Sequence, residues 1–353
     1  MFTDDTYMTG QKTDIRTLNL KELEQVVSGY NQPAFRAKQV FEWIWKKGIN
    51  NFEGMTNIPD QLRKNLSEKF IFLTLDEINR AESTDGTIKL LFSLHDDKKT
   101  ECVLIPSEDR VTACISSQTG CNLGCKFCST AGIKKARDLS AGEIFEQFIA
   151  SDNLSVAKFG RPLSNLVLMG MGEPLLNYEN VMNAVEKIIS PTGLNFSPQR
   201  ITLSTAGITA GIRKLADDDV KFNLAISLHA ANEKIRQGLM PVTNSNTIED
   251  LKKAIIYFHK KTGTRVTYEY LMLKDINDSA VHASEFAEFC KITPCKINLI
   301  EYNPGDFDVF KSSAPETIIR FSEILKSKNL IVNIRKSRGK DISAACGQLA
   351  NKC

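Results

Sequence analysis

The residues with the clearest chemistry are three cysteines in the segment GCNLGCKFCS, residues 120–129. Cys121, Cys125 and Cys128 form a C-x3-C-x2-C pattern, and soft thiolates of this kind select iron–sulfur clusters, zinc or Cu(I). A structural zinc site needs a fourth ligand, and no further Cys or His follows closely in the sequence. A [4Fe–4S] cluster normally takes one cysteine per iron, so three cysteines leave one iron open to a substrate or cofactor. We therefore predict a [4Fe–4S] cluster, in preference to three unrelated core thiols.

Residues beside these cysteines fit the same prediction. Gly120 and Gly124 allow the backbone to wrap tightly, so that the thiolates can approach one centre. Phe127, next to the last cysteine, would shield a cluster from water and help to set its potential.

The elements that position this loop are predicted from an alternation of apolar and helical segments. From about residue 111 onward, short β-rich runs alternate with stretches of helical periodicity. The apolar runs are VTACISS, NLVLMG, RITLST, FNLAIS, RVTYEYLML, KINLIEY and LIVNIRK, and the helical stretches are 141–156, 178–190, 248–262, 280–290 and 315–328. This alternation predicts an α/β fold with a parallel sheet, and six units before the last run favour a partial (β/α)6 barrel. A doubly wound open sheet is the alternative, although no Gly-x-Gly-x-x-Gly sequence follows a strand.

Polar residues stand where the predicted strands end, which is where β/α barrels carry their active sites. These residues are Ser116, Ser117, Gln118, Glu173, Ser204, Thr205, Ser227, His229 and Asn303. Each one alone has an ordinary explanation, since Ser or Thr after a strand usually forms a turn or caps a helix. Their repeated placement predicts one rim that gathers a carboxylate, hydroxyls, an imidazole and an amide around the three thiolates.

The N-terminal part of the chain is predicted to be organised differently. Residues 1–70 form a small helical domain in this prediction, with an apolar stripe in FRAKQVFEWIWKKG. The stripe consists of Ala37, Val40, Phe41 and Ile44. Residues 71–106 predict a linking β-hairpin, with strands TIKLLFSL and TECVLIP around the turn HDDKK. Residues 35–69 hold seven Lys or Arg against four Asp or Glu, which fits either an RNA-docking module or a mildly basic solvated surface.

The bulk composition excludes some classes of protein. The chain has 353 residues, enough for one large domain and a smaller one, and its net charge of +3 is too small to indicate a polyanionic partner. Its N-terminus is polar and acidic, unlike a secretory signal, and no apolar stretch is long enough to span a membrane. We predict a cytoplasmic protein, in which nine cysteines indicate metal or redox chemistry instead of a disulfide framework.

The cysteine pattern, with Phe127 as an aromatic residue before the last cysteine, resembles the signature of the radical S-adenosylmethionine (SAM) superfamily. Further segments are similar to the RlmN/Cfr family of adenosine methyltransferases, and the likeness covers most of the chain. These segments are SSQTGCNLGCKFCSTA, LMGMGEPLLN, ITLSTAG, AISLHAANE, PCKINLIEYNP and RKSRGKDISAACGQLA. Pro174 and the run RKSRG at 335–339 resemble the RlmN branch more than the Cfr branch. The resemblance implies a radical SAM core over 107–340 and a separate C-terminal segment, 341–353.

The resemblance also implies a binding site for SAM. The iron without a cysteine ligand would hold the methionine amine and carboxylate of SAM. Gly172 and Glu173 match the segment that binds this methionine moiety, where a carboxylate faces an ammonium group. The further positions that match SAM contacts are Ser204, Ser227, Leu228, His229 and Asn303.

Three residues match catalytic positions of the family. Cys346 matches the cysteine that accepts a methyl group from one SAM, before a radical from a second SAM activates that group for addition to the adenine ring. Cys114 matches the cysteine that attacks the Cys346 sulfur in a transient disulfide, and Glu101 matches the proton acceptor. From the residues alone, Glu101 reads as an exposed strand carboxylate and Cys346 as part of a small buried helix end.

Other side chains near these positions have more than one interpretation. The basic residues at 335–340 argue against burial of the whole C-terminal segment, and they could lower the pKa of the Cys346 thiol or contact phosphate. The remaining cysteines are interpreted as core or surface thiols; they are Cys102, Cys290, Cys295 and Cys353.

The family likeness implies methylation of C2 of an adenosine in the peptidyl-transferase centre of 23S rRNA, and of the adenosine 3′ of the tRNA anticodon. The base would have to be unstacked to enter the barrel mouth. The expected partners are 23S rRNA, tRNA and an electron donor such as flavodoxin or ferredoxin, and we expect a monomer. The alternatives are C8 methylation of the Cfr type, an iron–sulfur RNA-binding redox sensor, and a radical SAM activase.

Overall fold

Ten strands form one sheet that runs through most of the molecule, and helices pack against it. The computed structural model describes residues 12–133, 137–305 and 310–351. Within them, the ten strands lie side by side in the order of the chain.

The N-terminal residues form a three-helix unit, as the sequence predicted. Its elements are β1 (Thr13–Asp14), α1 (Leu20–Gly29), α2 (Phe35–Trp45), α3 (Asp60–Lys69) and β2 (Phe70–Ile71). Ala37, Val40 and Ile44 of the predicted stripe in α2 are fully buried, while Phe41 is partly buried. Burying such aliphatic side chains stabilises a fold by about 1.5–3 kcal/mol each.

The predicted hairpin is present, but it belongs to a longer antiparallel part of the sheet. Its strands are β4 (Ile88–Ser93) and β5 (Lys99–Pro106), and they follow an edge strand, β3 (Asp76–Glu82). The sequence did not predict β3, because six of its seven residues are exposed and no apolar alternation marks it. On its other side, β5 pairs antiparallel with β6 (Val111–Ile115), so the hairpin extends the main sheet.

The remaining strands are all parallel to their neighbours. After β6 these strands are β7 (Asn165–Leu168), β8 (Ile201–Thr205), β9 (Asn223–Ser227), β10 (Val266–Met272), β11 (Cys295–Glu301) and β12 (Val332–Arg335). The helices between them are α4 (Ala141–Phe159), α5 (Tyr178–Ile189), α6 (Thr209–Asp217), α7 (Glu233–Leu239), α8 (Ile248–Thr262), α9 (Ala280–Phe289) and α10 (Pro315–Lys326). The predicted partial (β/α)6 barrel is confirmed. The doubly wound alternative is wrong, because that fold reverses its strand order at a switch point and this sheet does not.

The three-helix unit packs against α4, the first helix of the barrel. Arg16 Nη1 donates to Glu146 Oε1 at 2.7 Å, and the rings of Trp45 and Phe145 meet edge to face at 4.9 Å between centroids. Both contacts fix the unit beside the helix that follows the cysteine loop. None of the helices in the described ranges is both long and apolar enough to cross a membrane.

Candidate active site

A cavity of about 470 Å³ lies at the carboxyl ends of the parallel strands. Four parts of the chain line it: the ends of the parallel strands, β5 with the turn that follows it, the loop that carries the three cysteines, and the C-terminal segment after β12. Ten of the predicted site residues are on its walls: Cys114, Cys121, Cys125, Cys128, Gly172, Glu173, Ser204, Ser227, His229 and Cys346. The structure therefore brings most of the predicted rim to one site.

The cysteine loop is held by its own backbone and by α7. Cys128 N–H donates to Cys125 O at 3.2 Å, and Lys126 N–H donates to Leu239 O at 3.0 Å. Gly124 has a φ of 69°, a left-handed conformation that favours glycine at this bend. The Phe127 ring packs edge to face on His229, with 4.7 Å between centroids. The aromatic residue thus ties the loop to the end of β9, and the shielding of a cluster by Phe127 stays a prediction.

Burial disfavours the charged form of the thiols in this loop. Burial raises the pKa of Cys121 to about 11 and raises that of Cys125 further, with the neighbouring thiols acting in the same direction. A bound cationic centre would reverse this effect, because it favours the thiolates. Among the described residues, no three Cys, His, Asp or Glu side chains are arranged to hold one metal ion. Cluster cysteines each bind a different iron, so Cys121, Cys125 and Cys128 need not meet at one point.

The loop after β7 places a carboxylate next to the cysteines. Gly172 has a φ of 99°, and a Cβ there would lie 2.6 Å from the Gln118 Cβ, so only glycine fits. The Gln118 side chain accepts the Glu173 N–H at 2.9 Å. Gln118, predicted as part of the rim, thus braces this loop.

The Glu173 carboxylate is buried without a cationic partner among the described residues. It is 3% exposed, and it accepts N–H groups from Ala206 at 2.7 Å and from Leu175 at 3.0 Å. Burial raises the pKa of Glu173 to about 7, although these hydrogen bonds oppose the rise. A buried anion of this kind fits a ligand that carries an ammonium group.

The ends of β8 and β9 contribute hydroxyls and an imidazole. The hydroxyl oxygens of Ser204 and Ser227 are 3.4 Å apart. His229 has a φ of 58°, and its Nδ1 accepts the Leu271 N–H at 3.0 Å. Burial lowers the pKa of His229 to about 3, and the Arg236 charge acts in the same direction. The imidazole is therefore neutral, with its proton on Nε2.

Three predicted residues do not line the cavity. Leu228 is buried in the core, where its carbonyl accepts Arg236 Nε. Asn303 is 2% exposed, and its Oδ1 has no hydrogen-bond partner in the described residues. Glu101 is fully buried next to Lys89, so the expectation of an exposed strand carboxylate is wrong.

The C-terminal segment brings a second kind of thiol to the cavity. Cys346 lines the cavity and is exposed to solvent, and Cys114 on β6 is buried close enough for the Cys346 charge to raise the pKa of Cys114. Both are free in this structure. Burial is the main cause of the raised pKa of Cys114, and partial loss of water also raises the pKa of Cys346. Arg335 lowers the pKa of Cys346, as the sequence suggested, but the loss of water outweighs it.

The other cysteines lie apart from this site. Cys102, Cys290 and Cys295 are buried in the core, and Cys353 lies outside the described residues.

Two charged residues near the site were not predicted from the sequence. Glu269 on β10 lines the cavity and lies 3.5 Å from Arg335. Arg236 on α7 is fully buried, and its guanidinium donates to Ala206 O and Thr243 Oγ1 at 2.6 Å each. Its charge partly opposes the rise that burial causes in the pKa of the Cys125 thiol. The signal was weak, because α7 has only seven residues and no clear apolar stripe.

Two family models match this chain. Residues 115–287 match the radical SAM superfamily, and residues 13–72 match the ribosomal RNA large subunit methyltransferase N-terminal domain. The first match includes the cysteine loop and β7 to β10, and the second covers the three-helix unit.

Full-length relatives are also similar. A probable dual-specificity RNA methyltransferase RlmN from Christiangramia forsetii is 49% identical over 97% of this chain and 97% of its own. A dual-specificity RNA methyltransferase RlmN from Nitratidesulfovibrio vulgaris is 43% identical over 96% of this chain and 94% of its own. The crystal structure of a radical SAM methyltransferase from Sphaerobacter thermophilus, 38% identical, superposes with a TM-score of 0.91 and covers 96% of this chain and 100% of that one. The chain therefore belongs to the RlmN family of radical SAM RNA methyltransferases, enzymes that use a [4Fe–4S] cluster and SAM.

Proposed function

We propose that this enzyme methylates C2 of an adenosine in the peptidyl-transferase centre of 23S rRNA, and of the adenosine 3′ of the tRNA anticodon. The observation that carries the proposal is one cavity lined by the three loop cysteines and by two further free thiols, Cys114 and Cys346. The curated relatives are named dual-specificity RNA methyltransferases, which supports two kinds of RNA substrate.

The residues on the cavity wall fit both cofactors. Cys121, Cys125 and Cys128 would hold the cluster, and the Glu173 carboxylate, beside Gly172, would bind the ammonium group of SAM. Further contacts with SAM are proposed for Ser204, Ser227 and His229 on the cavity wall. Leu228 and Asn303, which lie behind that wall, are also proposed to contribute to the SAM site. When bound, the cluster supplies the electron that cleaves SAM, and SAM supplies the methyl group.

Two thiols explain how a carbon that is not nucleophilic can gain a methyl group. In this proposal the Cys346 sulfur takes a methyl group from SAM. The carbon of that group then bonds to C2 of the base while it is still attached to the sulfur. Cys114 then attacks the Cys346 sulfur as a thiolate, so that an S–S bond forms as the S–C bond to the product breaks, and the released carbon takes a proton to complete the methyl group. The ring proton must go to a base, for which we propose Glu101.

The mouth of the cavity suits a nucleic acid. Arg335, Lys336 and Arg338, which follow or end β12, are among the residues that line the cavity, and Arg or Lys side chains are the usual contacts with phosphate. An adenine has to be unstacked to reach the thiols inside. We propose that the protein acts as a monomer, reduced by flavodoxin or ferredoxin.

The test is mass spectrometry of nucleosides from rRNA and tRNA of a deletion strain, complemented with the wild-type chain or with Cys346→Ala. We expect 2-methyladenosine to be lost on deletion, restored by the wild type and not by Cys346→Ala. Unchanged 2-methyladenosine in the deletion strain would contradict the proposal. Loss of 8-methyladenosine would favour the Cfr type of reaction, and unchanged nucleosides with intact RNA binding would favour a redox sensor.

A further inference from the structure

One buried ion pair holds the C-terminal segment on both sides of Cys346. Lys89 on β4 and Glu101 on β5 lie on neighbouring antiparallel strands, with Lys89 Nζ 3.3 Å from Glu101 Oε1. Their side chains are 1% and 0% exposed. This pair belongs to the hairpin, far in sequence from residues 343–351.

Each member of the pair contacts the backbone of that segment. Lys89 Nζ donates to Ser343 O at 3.3 Å, three residues before Cys346. Glu101 Oε2 accepts the N–H groups of Ala350 at 2.9 Å and Asn351 at 3.1 Å. The two charges therefore fix the chain on either side of the thiol.

The burial of these charges depends on the docked segment. A buried carboxylate is costly unless hydrogen bonds and an opposite charge compensate it, and the segment supplies two of the hydrogen bonds of Glu101. If residues 350 and 351 moved away, the carboxylate would lose both donors. Docking of the segment and pairing of the charges are thus coupled.

The residues that follow Cys128 contact the same segment and leave Cys346 facing the cavity. Ser129 N–H donates to Gly347 O at 2.8 Å, and Thr130 Oγ1 donates to Leu349 O at 2.8 Å. Both donors directly follow Cys128, the last residue of the cysteine loop. The segment is therefore held between the loop and the hairpin.

We propose that Lys89 and Glu101 are positioning residues that hold the Cys346 segment in the place where its thiol receives the methyl group. The assignment rests on the proposed function, in which Cys346 carries that group. It also gives Glu101 a task in the docked state, in which its Oε2 already accepts two backbone N–H groups. To accept a proton from the substrate, Glu101 must first release residues 350 and 351.

The experiment compares Lys89→Met and Glu101→Gln with Arg80→Gln, which removes a surface ion pair on the adjacent strand β3. The first readout is hydrogen exchange of the peptide containing residues 343–351 in the full-length protein. The second is the fraction of Cys346 that carries a methyl group after reconstituted enzyme is incubated with SAM, measured by peptide mass spectrometry. Iron content is measured in parallel.

We expect Lys89→Met to accelerate exchange of the segment and to slow methyl loading of Cys346, each at least tenfold, with iron content unchanged. Glu101→Gln should give the same changes to a smaller degree, because an amide oxygen still accepts an N–H, and Arg80→Gln should match the wild type. Wild-type exchange and loading in both Lys89→Met and Glu101→Gln would overturn the assignment.

A double variant keeps the test decisive if a lone buried charge prevents folding. Lys89→Met combined with Glu101→Leu removes both charges, a change that folded proteins often tolerate. It should fold and still lose protection of the segment; retained protection contradicts the proposal. If wild-type Cys346 never gains a methyl group, the proposed function fails, whereas the exchange data still decide whether the pair holds the segment.

Discussion

Two parts of the chain that line the cavity contact each other, and they are held in different ways. The cysteine loop follows directly from β6, and its backbone contacts itself and the end of α7. The segment 343–351 follows β12, and its anchors come from β4, β5 and the region after Cys128. Those anchors are more than 200 residues away in sequence. Neither part contains a strand or an α-helix.

The different ways in which the two parts are held match their proposed functions. Cluster ligands have to stay in place, and a tight loop built from neighbouring residues provides this. The Cys346 thiol has to meet SAM, the RNA base and Cys114 in turn, so its segment needs contacts that can be broken. Side-chain contacts with a few backbone atoms satisfy that need better than a regular element would.

The largest effect is expected from loss of a loop cysteine. Cys125→Ala should remove the cluster and lower methylation by roughly 10³-fold or more, since the chemistry depends on it. Iron and sulfide analysis of anaerobically purified protein checks this. Cys102→Ala is the matched control, a buried thiol next to Ser151 that should keep its iron and cost about 1 kcal/mol of stability. Equal iron content in the two variants would contradict the cluster assignment.

The two cavity thiols should fail differently when each is removed. Cys346→Ala should keep the cluster and yield no methylated product, because nothing carries the carbon. Cys114→Ala should instead trap RNA covalently on the protein, because the adduct is not released. Denaturing gels of labelled RNA with each variant distinguish the two, and a free product from Cys346→Ala would contradict the relay.

Glu173 should make SAM binding depend on pH. Its pKa is raised from 4.5 to about 7 by burial, so the carboxylate becomes fully charged only as the pH rises through about 7. SAM affinity of the cluster-free protein should rise over the same range, and in Glu173→Gln it should be lower and independent of pH. Calorimetry at several pH values measures both.

The same shift sets the sign of a stability change. The folded protein holds the Glu173 proton more tightly than the unfolded chain does. The contribution of Glu173 to the free energy of unfolding therefore falls as the pH rises from about 4.5 to about 7. Denaturant titrations at several pH values measure the free energy of unfolding of the wild type and of Glu173→Gln. Over this pH range it should fall more steeply with rising pH in the wild type than in the variant. Parallel slopes would show that the pKa is not raised.

The smallest effect is expected from a single contact of the C-terminal segment. Gln348 Nε2 donates to Pro304 O at 2.7 Å at an exposed position. Gln348→Ala should weaken docking by about 0.5–1.5 kcal/mol, which would raise amide exchange of the segment a few-fold and leave iron content unchanged. If Gln348→Ala raised amide exchange of the segment as much as Lys89→Met does, the exposed Gln348 contact and the buried ion pair would hold the segment equally strongly.

The sequence was informative where local patterns decide structure. The stripe in α2 and the runs that became β6 to β12 were predicted because burial imposes a regular spacing. The sequence was uninformative for β3, because its exposed residues carry no such spacing. It was also uninformative for α7, because Arg236 is buried where it donates to a backbone carbonyl from a distant part of the chain. Glu101 looked exposed, since nothing near it in sequence indicates Lys89 as a buried partner.

The sequence by itself predicted the cluster ligands and determined the order of the barrel strands, because thiolate spacing and the alternation of strands and helices are local properties. Only the tertiary structure decided that the segment with Cys346 lies against the residues that follow Cys128, and that Glu101 lies beneath this segment. It also decided that Arg335 and Glu269, from two different strands, meet at the same cavity. These features depend on which distant segments meet and how much water they displace, and no short stretch of sequence contains that information.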